Sequence, residues 1–274
     1  MGDVPEVAPT TAGDALPSPQ DLFERHIEAI GGRDKVFAPT TRRLTGRFEM
    51  VPSQPGGQTF RARLQMVQEA PDKLRFELNV PGQPSIVTVF DGEIGWASSS
   101  EGRYEIVLGP QLIDLALSAQ FYGEADYEKR YAAFGDVERV MVNDEPAYRV
   151  AYQTRFGKPG AVIFDAESGL ATVFQTVQSV GEEQGMMLVQ LEDYRPVGDD
   201  GPLFPRRVVQ TTPTSVTTLT YRTVDHELDA DPDWTRPEAV QARFEELQRM
   251  QREAQEQRGE REGGGSPGNE GDRD

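Results

Sequence analysis

The sequence has no cysteine among its 274 residues. A disulfide framework, a catalytic thiolate, a cysteine-ligated zinc ion and a lipidated cysteine are therefore excluded in this chain. The absence is compatible with a reducing or an oxidising compartment. Stability must come from a packed core, and the chain is long enough to form a sizeable one.

Histidine is scarce, and the usual catalytic patterns are missing. His26 and His226 are far apart in the sequence, so we expect a packed His26 and no metal site. The alternating aspartates over residues 229–233 resemble the start of a calcium loop, but Trp234 occupies the position of the turn glycine. No nucleophile elbow, phosphate-binding loop or dinucleotide fingerprint occurs. We predict no catalytic residue, metal or cofactor, and expect a protein that is not an enzyme.

Basic residues are outnumbered, with 28 Lys and Arg against 46 Asp and Glu and a net charge of −18. Nucleic acid and anionic membrane surfaces are therefore poor partners. No run approaches 18 apolar residues, so we predict no transmembrane segment. The residues after Met1 show neither a basic nor an apolar signal-peptide region, so the sequence itself predicts no signal peptide.

Apolar residues are concentrated in the middle of the chain. We predict a disordered tether over residues 1–18, one domain over residues 19–234, a partly docked C-terminal helix over residues 235–258, and a disordered acidic, glycine-rich tail over residues 259–274. The helix has its apolar residues at spacings of four, three and three, namely Val240, Phe244, Leu247 and Met250.

Three further stretches favour helices. The first begins with Ser18 and Pro19 and ends at Gly31 and Gly32, which are start and stop signals of a helix. The second, over residues 110–121, is apolar around most of its circumference and needs contacts on more than one side. The third, over residues 127–134, places three aromatic residues on one helical face.

The remaining segments favour strands. Apolar and polar residues alternate between residues 41 and 108, as in half-buried antiparallel strands. Further strands follow from residue 137 to residue 228, separated by turn signals such as Asn143 and Asp144. About a dozen strands and few helices predict a mainly β (α+β) fold, with one curved antiparallel sheet or barrel and helices on its concave side.

Several landmarks then occur in a characteristic order. They are Gly31-Gly32, the run from Pro71 to Phe76, Phe90-Asp91-Gly92 before Trp96, Phe164-Asp165 with Gly169-Leu170, and Asp193-Tyr194-Arg195 leading to Pro205. In this order the chain resembles the LolA-like superfamily of lipoprotein-sorting and envelope lipid-binding proteins, over residues 19–228. The resemblance implies an incompletely closed half-barrel with helices covering its concave mouth, a periplasmic or envelope location, and acyl chains held between sheet and helices.

We therefore expect a carrier or sensor of a lipid or acylated lipoprotein. The predicted apolar lining consists of Phe60, Leu64, Met66, Leu74, Phe76, Leu78, Trp96, Tyr104, Ile106, Leu112, Leu115 and Phe121. The same residues are compatible with a solid core. In that alternative the domain is an envelope scaffold that recruits protein partners, for example through its C-terminal helix. Hydrolysis by a carboxylate pair is a third, weaker interpretation.

Overall fold

The computed structural model describes residues 6–9, 15–98, 103–180, 183–228 and 232–263. Over these residues the chain forms one sheet of 14 strands, five α-helices and one short 3-10 helix, Gly123–Asp126. The strands are β1 (Val7–Pro9), β2 (Thr41–Pro52), β3 (Phe60–Glu69), β4 (Lys73–Asn79), β5 (Ile86–Phe90), β6 (Gly95–Ser98), β7 (Tyr104–Val107), β8 (Tyr131–Val142), β9 (Glu145–Thr154), β10 (Pro159–Asp165), β11 (Ala171–Val180), β12 (Glu183–Pro196), β13 (Leu203–Thr211) and β14 (Ser215–His226). The helices are α1 (Pro19–Ala29), α2 (Arg33–Phe37), α3 (Gly109–Ala119), α4 (Tyr127–Arg130) and α5 (Glu238–Gly263).

The sheet is curved, antiparallel and open, which confirms the predicted half-barrel. Its order is β1, then β8 to β14, then β2 to β7. Sequential strands pair as hairpins within each half, and the long ladder between β14 and β2 joins the halves. Two of the predicted turn residues, Asn143 and Asp144, have φ angles of 51° and 66°, as a two-residue hairpin turn of type I′ requires.

The predicted first helix is confirmed by its cap. The Ser18 hydroxyl accepts a hydrogen bond from the Asp21 N–H at 3.1 Å, and the Asp21 carboxylate accepts one from the Ser18 N–H at 3.0 Å. This reciprocal pair satisfies two backbone donors at the start of α1. Phe23 of α1 is fully buried and contacts the rings of Tyr127 and Phe164. Helix α1 is thereby fixed on the β8 to β12 half.

Helices cover both faces of the sheet. We call the face that carries α1 and α3 the inner face, and the opposite one the outer face. Helix α5 lies on the outer face, where Val240 is fully buried and packs with Val89 and Trp96. Phe244 packs against the same cluster, whereas Met250 is exposed.

The helix predicted over residues 127–134 is wrong beyond Arg130, because β8 begins at Tyr131. The pairing of β8 with β9 shifts register between Tyr131 and Ala133, and again after Phe134. These bulges place Tyr131 and Phe134 in the same aromatic cluster although they are three residues apart. A bulged strand therefore imitates the spacing of a helix.

The segment boundaries at both ends also need correction. Val7–Pro9, inside the predicted tether, forms β1 and pairs with the edge of β8. Val7 packs against an outer apolar cluster there, which offsets the cost of ordering this short strand. Helix α5 continues to Gly263, five residues into the predicted tail. The rest of the predicted tether and tail, residues 1–5, 10–14 and 264–274, lies outside the described residues.

Candidate functional site

Strand register aligns the inner-face side chains in rows that cross the sheet from β14 to β5. The first row is polar on three strands and apolar on two, and consists of His226, Arg42, Gln68, Leu74 and Phe90. The second row is apolar up to its last position and consists of Val224, Leu44, Met66, Phe76 and Thr88. The inner face therefore has an apolar floor with a polar patch at one end.

Helix α3 lies above this floor. Leu112 and Leu115 of the helix pack with Leu74 and Phe90 of the sheet. A methyl group at Gly95 would lie 2.6 Å from Leu115 Cδ2, closer than carbon atoms can approach. The missing side chain at Gly95 thus lets the helix contact the sheet on this side.

Polar contacts hold α3 to the other half of the sheet. The Asp114 carboxylate forms an ion pair with the Lys158 ammonium of the β9–β10 turn, and both side chains are largely buried. The Arg130 guanidinium donates to the Leu117 carbonyl at 3.1 Å. Helix α3 therefore bridges the mouth of the half-barrel from one half of the sheet to the other.

A cavity of about 680 Å³ lies between α3 and the sheet. This volume is within the range of small-molecule sites, about 300–1,000 Å³. Its apolar lining from sheet and helix includes Met66, Phe76, Leu115, Leu117, Val208 and Leu219. A second cavity of about 410 Å³ lies beside α3, where Leu112 and Ile113 line it. The side chains of the inner face thus leave space beneath the helix.

The twelve residues predicted to line a ligand site fall into separate places. Those that line the 680 Å³ cavity are Met66, Leu74, Phe76, Leu115 and Phe121. Phe60, Leu64 and Leu78 are also on the inner face, but they pack into the core below the cavity. Leu112 lines the smaller cavity instead.

Trp96, Ile106 and Tyr104 are corrections to the predicted lining. Trp96 pairs with Val89 and Ile106, which places these residues on the outer face. There they pack under α5. Tyr104 lies on the edge strand β7 and is 45% exposed. Alternation shows which residues share a face, but it does not show which helix covers that face.

Sequence reasoning missed the polar patch made by Arg42, Gln68 and His226. All three line the cavity. A signal was present, because Arg42 is two residues before Leu44 in the alternating pattern and so belongs to the inward set. Alternation alone places these polar residues on the face that was predicted to be apolar.

The Arg42 guanidinium is held by neutral groups. Its Nε and Nη2 donate to Gln68 Oε1 at 3.0 and 2.6 Å, and Nη2 also donates to the Phe121 carbonyl at 2.9 Å. The rings of Phe121 and Phe204 lie 4.5 and 4.7 Å from its Cζ. Burial lowers the pKa of Arg42 to about 10, so the side chain is a cation at neutral pH.

His26 lines the opposite part of the cavity and has a structural role, as expected for a packed histidine. It is 5% exposed, and its Nδ1 accepts a hydrogen bond from the Ala171 N–H at 3.1 Å. The Tyr194 hydroxyl donates to the Ala171 carbonyl at 2.7 Å. Burial lowers the pKa of His26 to about 4, only partly offset by a hydrogen bond at Gly169. At neutral pH His26 is therefore an uncharged acceptor.

Neither a metal cluster nor a membrane-spanning helix is found in the described part of the chain. No three of its His, Asp and Glu side chains are grouped to hold a metal ion. Of the aspartates that resemble a calcium loop, Asp229 and Asp231 lie outside the described residues, and Asp233 accepts from the Thr235 N–H. No described helix is both long and apolar enough to cross a bilayer.

Comparisons with solved structures identify the fold. No family model matches the sequence, and no curated protein matches it. Among solved structures, a LolA superfamily protein from Nitrosomonas europaea is 13% identical with a TM-score of 0.54, over 81% of this chain and 99% of that one. A domain from Vibrio parahaemolyticus described as outer membrane lipoprotein-sorting is 11% identical with a TM-score of 0.55, over 77% and 94%. A DUF1329 family protein from Desulfovibrio piger is 9% identical with a TM-score of 0.54, over 81% and 98%. The chain therefore has the LolA-like fold.

Proposed function

We propose that the protein binds the apolar chain of a lipid or of an acylated lipoprotein in the 680 Å³ cavity, as a carrier or sensor in the cell envelope. It does so without catalysing a reaction. The observation that carries this proposal is the unfilled space between the apolar floor of the sheet and α3. The likeness to a lipoprotein-sorting domain supports the choice of an acyl chain and of the envelope.

Burial of the chain supplies the driving force. Each buried CH₂ group contributes about 0.8 kcal/mol, so a dodecyl chain contributes on the order of 9 kcal/mol before the costs of association. The walls need no reactive group for this interaction. The cavity supports a binding role over the alternative scaffold with a solid core, while recruitment of a protein partner through α5 stays a prediction.

Filling the cavity tests the proposal. Thr88 lines the cavity from strand β5, and a Thr88→Trp substitution places an indole in the space that the ligand needs. We expect dodecanol to bind the detergent-free wild-type protein in an equilibrium titration, and its affinity to fall at least tenfold in Thr88→Trp. The melting temperature should change little, because the indole enters space that is already empty.

The matched control is Thr220→Trp, an exposed position on β14. Its register neighbours on β2 and β13 are Arg47 and Arg207, and it makes the same chemical change away from the cavity. Dodecanol affinity should be unchanged there. Equal affinity in Thr88→Trp and Thr220→Trp, or no binding by the wild type, would contradict the proposed function and favour the scaffold alternative.

A further inference from the structure

One of the fixed charges around the cavity has no ion-pair partner among the described residues. Four side chains that line it carry a formal charge, namely Arg42, Asp114, Glu124 and Arg130. Asp114 pairs with Lys158, and the Glu124 carboxylate lies 3.6 Å from the Arg130 guanidinium. Within the described part of the chain, no carboxylate forms an ion pair with Arg42. One partly buried cation is thus left without a counterion.

The present partners of Arg42 compensate its charge only in part. An amide oxygen, a backbone carbonyl and two aromatic rings attract a cation, but none carries a negative charge. Burial of an unpaired charge is costly in a protein interior. Among the described residues, hydrogen bonds occupy Nε and Nη2, and none is made by Nη1.

His226, next to Arg42, has a second polar atom without a hydrogen bond among the described residues. It is the direct register neighbour of Arg42 across the β14–β2 pair. Its Nε2 is buried and has no hydrogen-bond partner among the described residues. Burial, and then the charge of Arg42, lower the pKa of His226 to about 4. His226 is therefore a neutral group at pH 7 that can share a hydrogen bond with a ligand.

The inner face of the sheet is polar at one end and apolar at the other. The row that starts with His226, Arg42 and Gln68 continues into Leu74 and Phe90, and the apolar second row lies beside it. A polar group bound at Arg42 would be continuous with the apolar floor under α3. The cavity thus has one place for a charged head and one for a hydrocarbon tail.

We propose that the ligand is an amphiphile with an anionic head group, a carboxylate or a phosphate, and that this head group binds the Arg42 guanidinium beside His226. The inference rests on the proposed function and adds the chemical class of the ligand. A planar guanidinium matches the oxygen geometry of both anions. The two aromatic rings that flank Arg42 hold it in place before the ligand arrives.

Three dodecyl probes test this inference on the full chain at pH 7.5. Dodecanol has a neutral head, dodecanoate a carboxylate and dodecyl phosphate a phosphate, so the last two distinguish the two sources of negative charge. A charge-assisted hydrogen bond corresponds to about tenfold to hundredfold in affinity. We expect the wild-type protein to bind dodecanoate, dodecyl phosphate or both about tenfold to hundredfold more tightly than dodecanol.

The substitution Arg42→Gln should abolish this preference, so that the variant binds the three probes with similar affinities. Arg43→Gln is the matched control, because Arg43 is exposed and, as the next residue of β2, points to the outer face. It removes the same net charge and should keep the full preference. Equal wild-type affinity for all three probes, or a preference that survives in Arg42→Gln, overturns the inference while the proposed function stands.

A second variant, Gln68→Glu, tests the inference even if Arg42→Gln does not fold. Gln68→Glu places a carboxylate at hydrogen-bonding distance from the same guanidinium and gives it an internal counterion. We expect the preference for anions to disappear while dodecanol still binds. Retention of the preference would overturn the inference. Failure of the wild type to bind any of the three probes would refute both the proposed function and the inference.

Discussion

At the level of single residues, His26 illustrates how burial sets chemistry. Its folded-state pKa of about 4 lies below its ordinary value of 6.5. The unfolded chain therefore binds the proton first as the pH falls. The stability that His26 contributes is fully present above about pH 6.5 and is lost as the pH drops toward 4.

The resulting prediction concerns the substitution His26→Gln. By pH 5 the wild-type protein should have lost about 2 kcal/mol of stability through this one histidine, relative to pH 7.5. His26→Gln should show a correspondingly shallower dependence in urea unfolding at the two pH values. Both proteins share every carboxylate, so the difference between their curves isolates His26. Parallel curves would show that His26 is not buried in its neutral form.

Residue spacing predicted some of these positions and not others. Alternation placed Met66, Leu74 and Phe76 on one face, where the structure has them. Arg42 belongs to the inward set of the same alternation, but it was not predicted as a site residue, because a charged side chain contradicts the expectation of an apolar face. The charge is tolerated because Gln68 and two rings contact it, and these partners come from other parts of the chain, namely β3, β13 and the turn after α3.

At the level of elements, α3 is positioned by the absence of a side chain below it. Gly95 lies opposite Phe90 in the β5–β6 pair, and a Cβ there would be 2.6 Å from Leu115 Cδ2 and 3.2 Å from Leu112 Cδ1. The sequence predicted this helix within one or two residues at each end. It did not indicate the glycine as a contact, because the contact joins residues of different elements.

A double-mutant cycle tests this packing. Gly95→Ala alone should destabilise the fold by roughly 1–3 kcal/mol through overpacking against Leu115. Leu115→Ala removes the clashing atoms, so the double variant should be more stable than the sum of the single effects by at least ~0.5 kcal/mol. Leu117→Ala is the control, because Leu117 is two positions from Leu115 and so lies on a different side of α3. The effects of Leu117→Ala and Gly95→Ala on stability should add. Additivity in both pairs would contradict the contact.

The start of strand β8 is where the prediction of secondary structure failed. Its two register shifts bring Tyr131 and Phe134 into one cluster with Phe23. Bulges arise from how a strand meets its partner and not from the spacing of its own residues. Sequence periodicity therefore indicated a helix where the chain is a strand.

At the level of the whole molecule, the number and spacing of the strands predicted a curved antiparallel sheet or a barrel, and the resemblance to LolA-like proteins implied the open half-barrel that the structure has. The assignment of helices to faces was not predictable in the same way. Helix α5 covers Trp96 and Ile106 on the outer face, and α3 covers Leu74 and Phe90 on the inner face. Both faces of β5 and β6 are apolar, so the strand sequence does not distinguish an outer core from a ligand site.

The central claim, that the inner cavity holds a hydrocarbon chain, is tested most directly by photoaffinity labelling with dodecanoate that carries a terminal diazirine. Irradiation of the detergent-free complex and peptide mapping would locate the chain end. The account predicts labelling of inner-face peptides that contain Phe76 or Leu117, and its loss in Thr88→Trp. Labelling confined to exposed positions such as Met186 and Met250, or equal labelling of Thr88→Trp, would contradict it.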